Sequence, residues 1–206
     1  MIVLEKSADV YSLRDADFEL SFRHVGDRWQ HGVSLRHRGE WRCLLTSEEG
    51  APTDDVPPSP PLQDLRLEQP AEMIYEFQLL GQSGKGVYSA AIRFDGTLRT
   101  IDFDLCARGR SKTHLCTICR YVLPNDEWLP EVRDLSDSLI LLPGGGRGID
   151  VAPVAIVGCP RSECRLTTVQ YVRRIDAGCF GITGSDSPSK AFSVRWRYRM
   201  TLAGQA

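Results

Sequence analysis

Helical periodicity is nearly missing from this chain, and so are long apolar runs, an excess of charge of either sign, a repeat of fixed period and any specific catalytic motif. Each absence narrows the field. Without a stretch of roughly 20 apolar residues, no helix is expected to span a membrane. The segment Met1-Ile2-Val3-Leu4-Glu5-Lys6 lacks a basic stretch followed by an apolar one, so a secretory leader is not expected and the chain reads as cytoplasmic. A formal net charge of -2 sets up no global field for nucleic acid, which is therefore not an expected partner. Neither GxSxG nor HExxH occurs. The seven cysteines form an odd set with no leader before them, which favours reduced thiols over a disulfide framework.

What is present is alternation. Phe192, Val194, Trp196, Tyr198, Met200 and Leu202 fall on one side of a strand, and Arg195, Arg197 and Arg199 on the other. Successive strand side chains point to opposite faces, whereas on a helix these residues would wrap all the way round. The same pattern runs through Phe18, Leu20, Phe22 and His24, then Trp29, His31, Val33, Leu35 and His37, then Trp41, Cys43 and Leu45. A loop at Gly26-Asp27 pairs Val25 with Arg28 and sets Phe22 opposite His31. A three-residue loop at 38–40 would pair His37 with Trp41 and keep the apolar faces together. Asp95-Gly96 signals a further hairpin.

The expected fold is all-β: an antiparallel two-sheet sandwich or distorted barrel of about twelve short strands, in a single domain over 1–206. Residues 46–64 interrupt the pattern. They are acidic and carry Pro52, Pro57, Pro58, Pro60 and Pro61, and proline removes ladder donors. This segment reads as a long loop that covers a cleft. Residues 130–135 read as one helical turn, and 154–157 as a strand.

Four groups are candidates for chemistry. His24, His31 and Trp29 share a predicted face, which suits general acid–base work by an imidazole, with the loop carboxylate of Glu48 as partner. Trp29, Trp41 and Trp128, with His37 nearby, offer aromatic surface for a sugar ring. Arg195 and Arg197, with Arg199, form a cationic stripe suited to an anionic or polar ligand, or a solvated face balanced by Asp102, Asp104 and Glu76. Cys116 and Cys119, with Cys159 and Cys164, have spacing compatible with a structural zinc. β-branched residues between the first two, and their opposite faces in a strand, favour buried thiols instead. The glycine-rich segments 81–86 and 144–148 read as turns, since no helix follows either.

Two functions follow as expectations. One is a carbohydrate-binding or carbohydrate-processing sandwich, mutarotase-like if enzymatic, acting on a sugar or another small polar ligand. The other is a non-enzymatic module for protein interaction or for assembly of copies through a sheet face. A zinc-stabilised domain is a third reading. No organic cofactor is expected. Open access to His24, His31 and Trp29 favours the first function, and their burial disfavours it.

Overall fold

Alternation becomes strand along most of the chain. The structure is a computed structural model. It describes residues 1–110, 115–123, 131–134, 138–142, 147–156, 164–169, 173–180 and 192–203. Among these residues there is no helix, and none that could cross a membrane.

The first sheet opens with an N-terminal meander: β1 (Val3–Lys6), β2 (Val10–Arg14), β3 (Phe18–Val25), β4 (Arg28–His37) and β5 (Glu40–Ser47). Beyond β5 it continues through β10 (Ile118–Val122), β15 (Arg174–Gly178) and β14 (Arg165–Val169). The second sheet runs in the order β11 (Glu131–Asp134), β12 (Leu139–Leu142), β13 (Gly148–Pro153), β16 (Phe192–Ala203), β9 (Thr100–Gly109), β8 (Gly86–Asp95), β7 (Ile74–Ser83) and β6 (Asp64–Ala71). Every pairing is antiparallel. The result is a two-sheet sandwich, not closed into a barrel.

The apolar faces predicted by alternation meet between the sheets. Phe18 stacks on Phe94 at 5.6 Å, Phe22 meets Phe77 at 4.3 Å, and Tyr11 meets Phe77 at 6.2 Å. Trp196, Phe103, Ile101 and Met200 are fully sealed. Burying a side chain of this size contributes about 1.5–3 kcal/mol, so this layer supplies most of the drive to fold. Acidic and basic residues alternate across the outer face of the second sheet. Glu76, Arg93, Asp102 and Arg199 lie in one cross-strand row.

Three local expectations need correction. The β4–β5 connection is a two-residue loop, pairing His37 with Glu40 and Arg36 with Trp41, not His37 with Trp41. Arg38 and Gly39 both take positive φ, 50° and 89°, which matches the twist of a tight hairpin. A bulge then adds Leu44 between the Ser34–Cys43 and Val33–Leu45 pairs. Residues 131–134 are strand, because the free edge of β12 offers Glu131–Asp134 a ladder that outweighs weak local helix preference. Residues 148–153 form the strand beside β16, since Ile149 and Val151 then face inward opposite Leu202 and Met200; 154–156 follow it outside any strand, and 157 lies outside the described residues. Among the described residues there are sixteen strands instead of about twelve; β1, β2, β11 and β15 have only four or five residues each, too few to show a clear alternation.

Candidate functional site: a cavity under the proline-rich loop

The chain leaves the first sheet after Ser47 and reaches the second at Asp64. Prolines deny the segment between them a ladder of its own, and it is fixed instead by hydrogen bonds to both sheets. On the first sheet, the Glu48 N–H donates to the Arg120 carbonyl at 2.8 Å and the Trp29 N–H to the Leu62 carbonyl at 2.7 Å. The Arg120 N–H donates to Ser59 Oγ at 3.0 Å. On the second sheet, the Gln63 N–H donates to the Leu80 carbonyl at 2.7 Å and Ser83 Oγ donates to the Asp54 carbonyl at 2.7 Å. Pro57, Pro60, Pro61 and Leu62 are buried beneath it. Glycine is required at position 81, because a Cβ there would stand 1.6 Å from the Pro61 carbonyl oxygen.

Between this loop, β10 and the end of β15 lies a cavity of about 550 Å³. Its apolar walls are Val56, Pro57, Pro58, Leu115, Ile118 and Phe180. Its polar groups are Glu48 and Asp54 from the loop, Thr117 and Arg120 from the opposite wall, and the thiols of Cys116 and Cys179. The Arg120 guanidinium is shared between Asp176 Oδ1 at 3.2 Å and Glu48 Oε2 at 3.9 Å. With its one arginine tied to two carboxylates, the cavity presents acidic oxygens and hydrogen-bonding edges around an apolar body. A space of this size and mixed lining is typical of small-molecule sites.

Behind the wall is a buried polar chain. Glu49 is sealed, its Oε1 accepting from Ser47 Oγ, and Ser47 Oγ in turn accepts from the His31 N–H at 2.9 Å. Burial pushes the Glu49 carboxyl up to about 7, opposed by the Ser47 hydrogen bond and the nearby Arg28 guanidinium. The His31 ring bonds through Nε2 to the Tyr121 hydroxyl at 2.7 Å, and Tyr121 to the Tyr198 hydroxyl at 2.5 Å. Burial drives the His31 imidazole down to about 3, so it is neutral.

The residues proposed from sequence do not converge. His31 is only 2% exposed and sealed between Phe22, Phe103 and Tyr121, with no route to a substrate. Trp29 is buried against Tyr11, and the half-buried His24 packs edge-on to it at 5.0 Å. Glu48 is on the cavity rim, on the loop's side. His37 and Trp41 sit half-buried at the far hairpin, where the Arg14 guanidinium lies over the Trp41 ring at 5.7 Å. Arg195 and Arg197 both pair with Asp104, and Arg199 pairs with Asp102 at 2.6 Å. Cys116, Cys119 and Cys164 are buried, and burial raises their thiols, to about 12 for Cys116 and Cys164. Cys159, Trp128 and the segment 144–146 lie outside the described residues. Among the described residues no group of three histidine, cysteine or acidic side chains is arranged to hold a metal.

Of the sequence candidates, then, Glu48 and Cys116 line the cavity. Asp54, Arg120 and Phe180 were missed, and so was Glu49 behind them. Their one sequence signal is the acidic loop itself, since the partners come from segments more than fifty residues apart. Comparison with protein-family models and with curated proteins finds no match for the chain.

Proposed function

We propose that this protein is a non-catalytic β-sandwich that binds a small, neutral or cationic polar ligand, a sugar or amino sugar by chemistry, in the cavity under the proline-rich loop. The observation that carries the reading is the cavity lining. Glu48, Asp54 and Arg120 offer planar groups that bond vicinal hydroxyls in pairs, while Phe180 and the loop prolines offer apolar surface for a ring face. The acidic rim disfavours anionic ligands. Binding is preferred to processing because the histidines expected to act as acid and base are walled off from Glu48. A reducing, cytoplasmic setting belongs to the same reading: the thiols of Cys43, Cys106, Cys116, Cys119 and Cys164 are free.

Ligand-detected NMR against a panel of neutral monosaccharides, amino sugars and uronic acids tests it. Saturation transfer to neutral or amino sugars that disappears in Glu48→Ala is the expected result. Silence across the panel, or transfer unchanged in Glu48→Ala, overturns it.

A further inference from the structure

Glu49 stands at the root of the loop, one residue past the rim, and ligand binding leaves it without a task. Its carboxyl is sealed, and Oε2 has no hydrogen-bond partner among the described residues. The charged and titratable groups that face it are Arg28 from β4, Cys116 from the cavity wall, and Cys119 and Tyr121 from β10. Arg28 alone among them favours a carboxylate. Its guanidinium is already engaged, donating through Nη1 to the Glu49 carbonyl at 2.7 Å and through Nε to Asp27 at 2.8 Å. Burial raises the two thiols and the phenol, so they stay uncharged at neutral pH and supply no compensating charge.

A proton on Glu49 removes the conflict, because the neutral acid can donate to Ser47 Oγ. Without it an anion with one bare oxygen is left in an apolar wall, a costly arrangement. The nearest relief is water, reached by turning the chain around 48–50 outward. That same chain carries the cavity wall, through the Glu48 and Ser59 bonds to the Arg120 backbone.

We propose that Glu49 is a proton-operated latch on the cavity: protonated, it holds the loop wall shut against β10; deprotonated, it releases that wall and opens the site. Burial places this change in the neutral range. The biological meaning of the latch rests on the ligand-binding reading, but its operation does not.

Hydrogen exchange of the full chain, corrected for the intrinsic effect of pH, tests it without ligand. Protection of the Glu48 and Arg120 amides is expected to fall about tenfold from pH 6 to pH 8 in the wild type, as the linkage between an open carboxyl of ordinary acidity and a closed one near neutrality requires. In Glu49→Gln it is expected to stay level. At pH 8, iodoacetamide should modify Cys116 faster in the wild type than in Glu49→Gln. Level protection in the wild type, an equal fall in the variant, or equal Cys116 modification rates overturn the latch. The wild-type measurement decides the matter even if the variant folds poorly. A silent ligand panel beside pH-dependent exchange removes the ligand reading and leaves the latch, while ligand binding with level exchange does the reverse.

Discussion

The centre of the second sheet and the β5–β10 junction of the first are built to different standards. In the former, β8, β9 and β16 pair without interruption: Val87–Asp95 against Thr100–Arg108, and Thr100–Gly109 against Phe192–Thr201. Its inner face is apolar and its outer charges are matched in rows. In the latter, the register spans Tyr121–Ser47 and Val122–Thr46, and beside it lie a buried acid, a buried histidine bonded to Tyr121, and a cavity. Polar groups without full partners are expensive inside a protein. Such atoms occur in both regions, Glu49 Oε2 and His31 Nδ1 at the junction and Thr100 Oγ1 and Trp196 Nε1 in the regular sheet, so what sets the junction apart is a buried acid and a cavity beside a two-pair ladder.

The largest expected effect breaks the comparison from the cohesive side. Trp196→Ala removes a fully sealed indole from β16 and should cost about 3–5 kcal/mol in urea unfolding. A loss below about 1 kcal/mol would deny that sheet its role.

A smaller effect sharpens it from the other side. The raised Glu49 carboxyl means the folded chain keeps a proton that the unfolded chain releases between pH 4.5 and about 7, so stability falls as pH rises through that window. His31 acts oppositely. The unfolded chain takes up a proton below pH 6.5 that the folded chain refuses until about pH 3, so stability falls as pH drops through that range. Between about pH 4.5 and 6.5 the two slopes cancel. Glu49→Gln removes one of them. Relative to wild type it should gain about 2–3 kcal/mol on going from pH 4 to pH 8, read from unfolding midpoints across pH. A pH-independent difference between the two chains would contradict the buried-acid account.

The smallest effect comes from the outer charges. Arg199→Ala breaks an ion pair with Asp102 that is half in water, and should cost less than about 1 kcal/mol. A larger loss would mean that the charged rows, and not the apolar layer, bind this sheet together.

Much of the fold was legible because alternation reports burial directly. The inward set from Phe192 to Leu202 and the β3–β4 register, Phe22 opposite His31, stand as the pattern implied. The β4–β5 register did not, for a physical reason. Trp41, Cys43 and Leu45 look like one uninterrupted face, but the tight Arg38-Gly39 turn shifts the first two outward and the bulge at Leu44 brings Leu45 back. The site was less legible still. Glu48 and Glu49 are identical neighbours in an acidic run, and only the course of the chain after Ser47 puts one on the rim and the other behind the wall. Arg120 and Phe180 meet that loop, and Asp176 meets Arg120, through long-range pairing that no local pattern encodes.

The extra residue at Leu44 also acts as a phase boundary. Upstream of it, β5 shows Trp41 and Cys43 to the outside; downstream, the parity is reversed and Leu45 faces the interior. Deleting Leu44 would join Cys43, opposite Ser34, directly to Leu45, opposite Val33, and so restore an unbroken ladder with neither half of β5 turned over. β5 can therefore lose one residue at this point without exchanging its exterior for its interior, because the bulge is spare length stored where the strand changes phase.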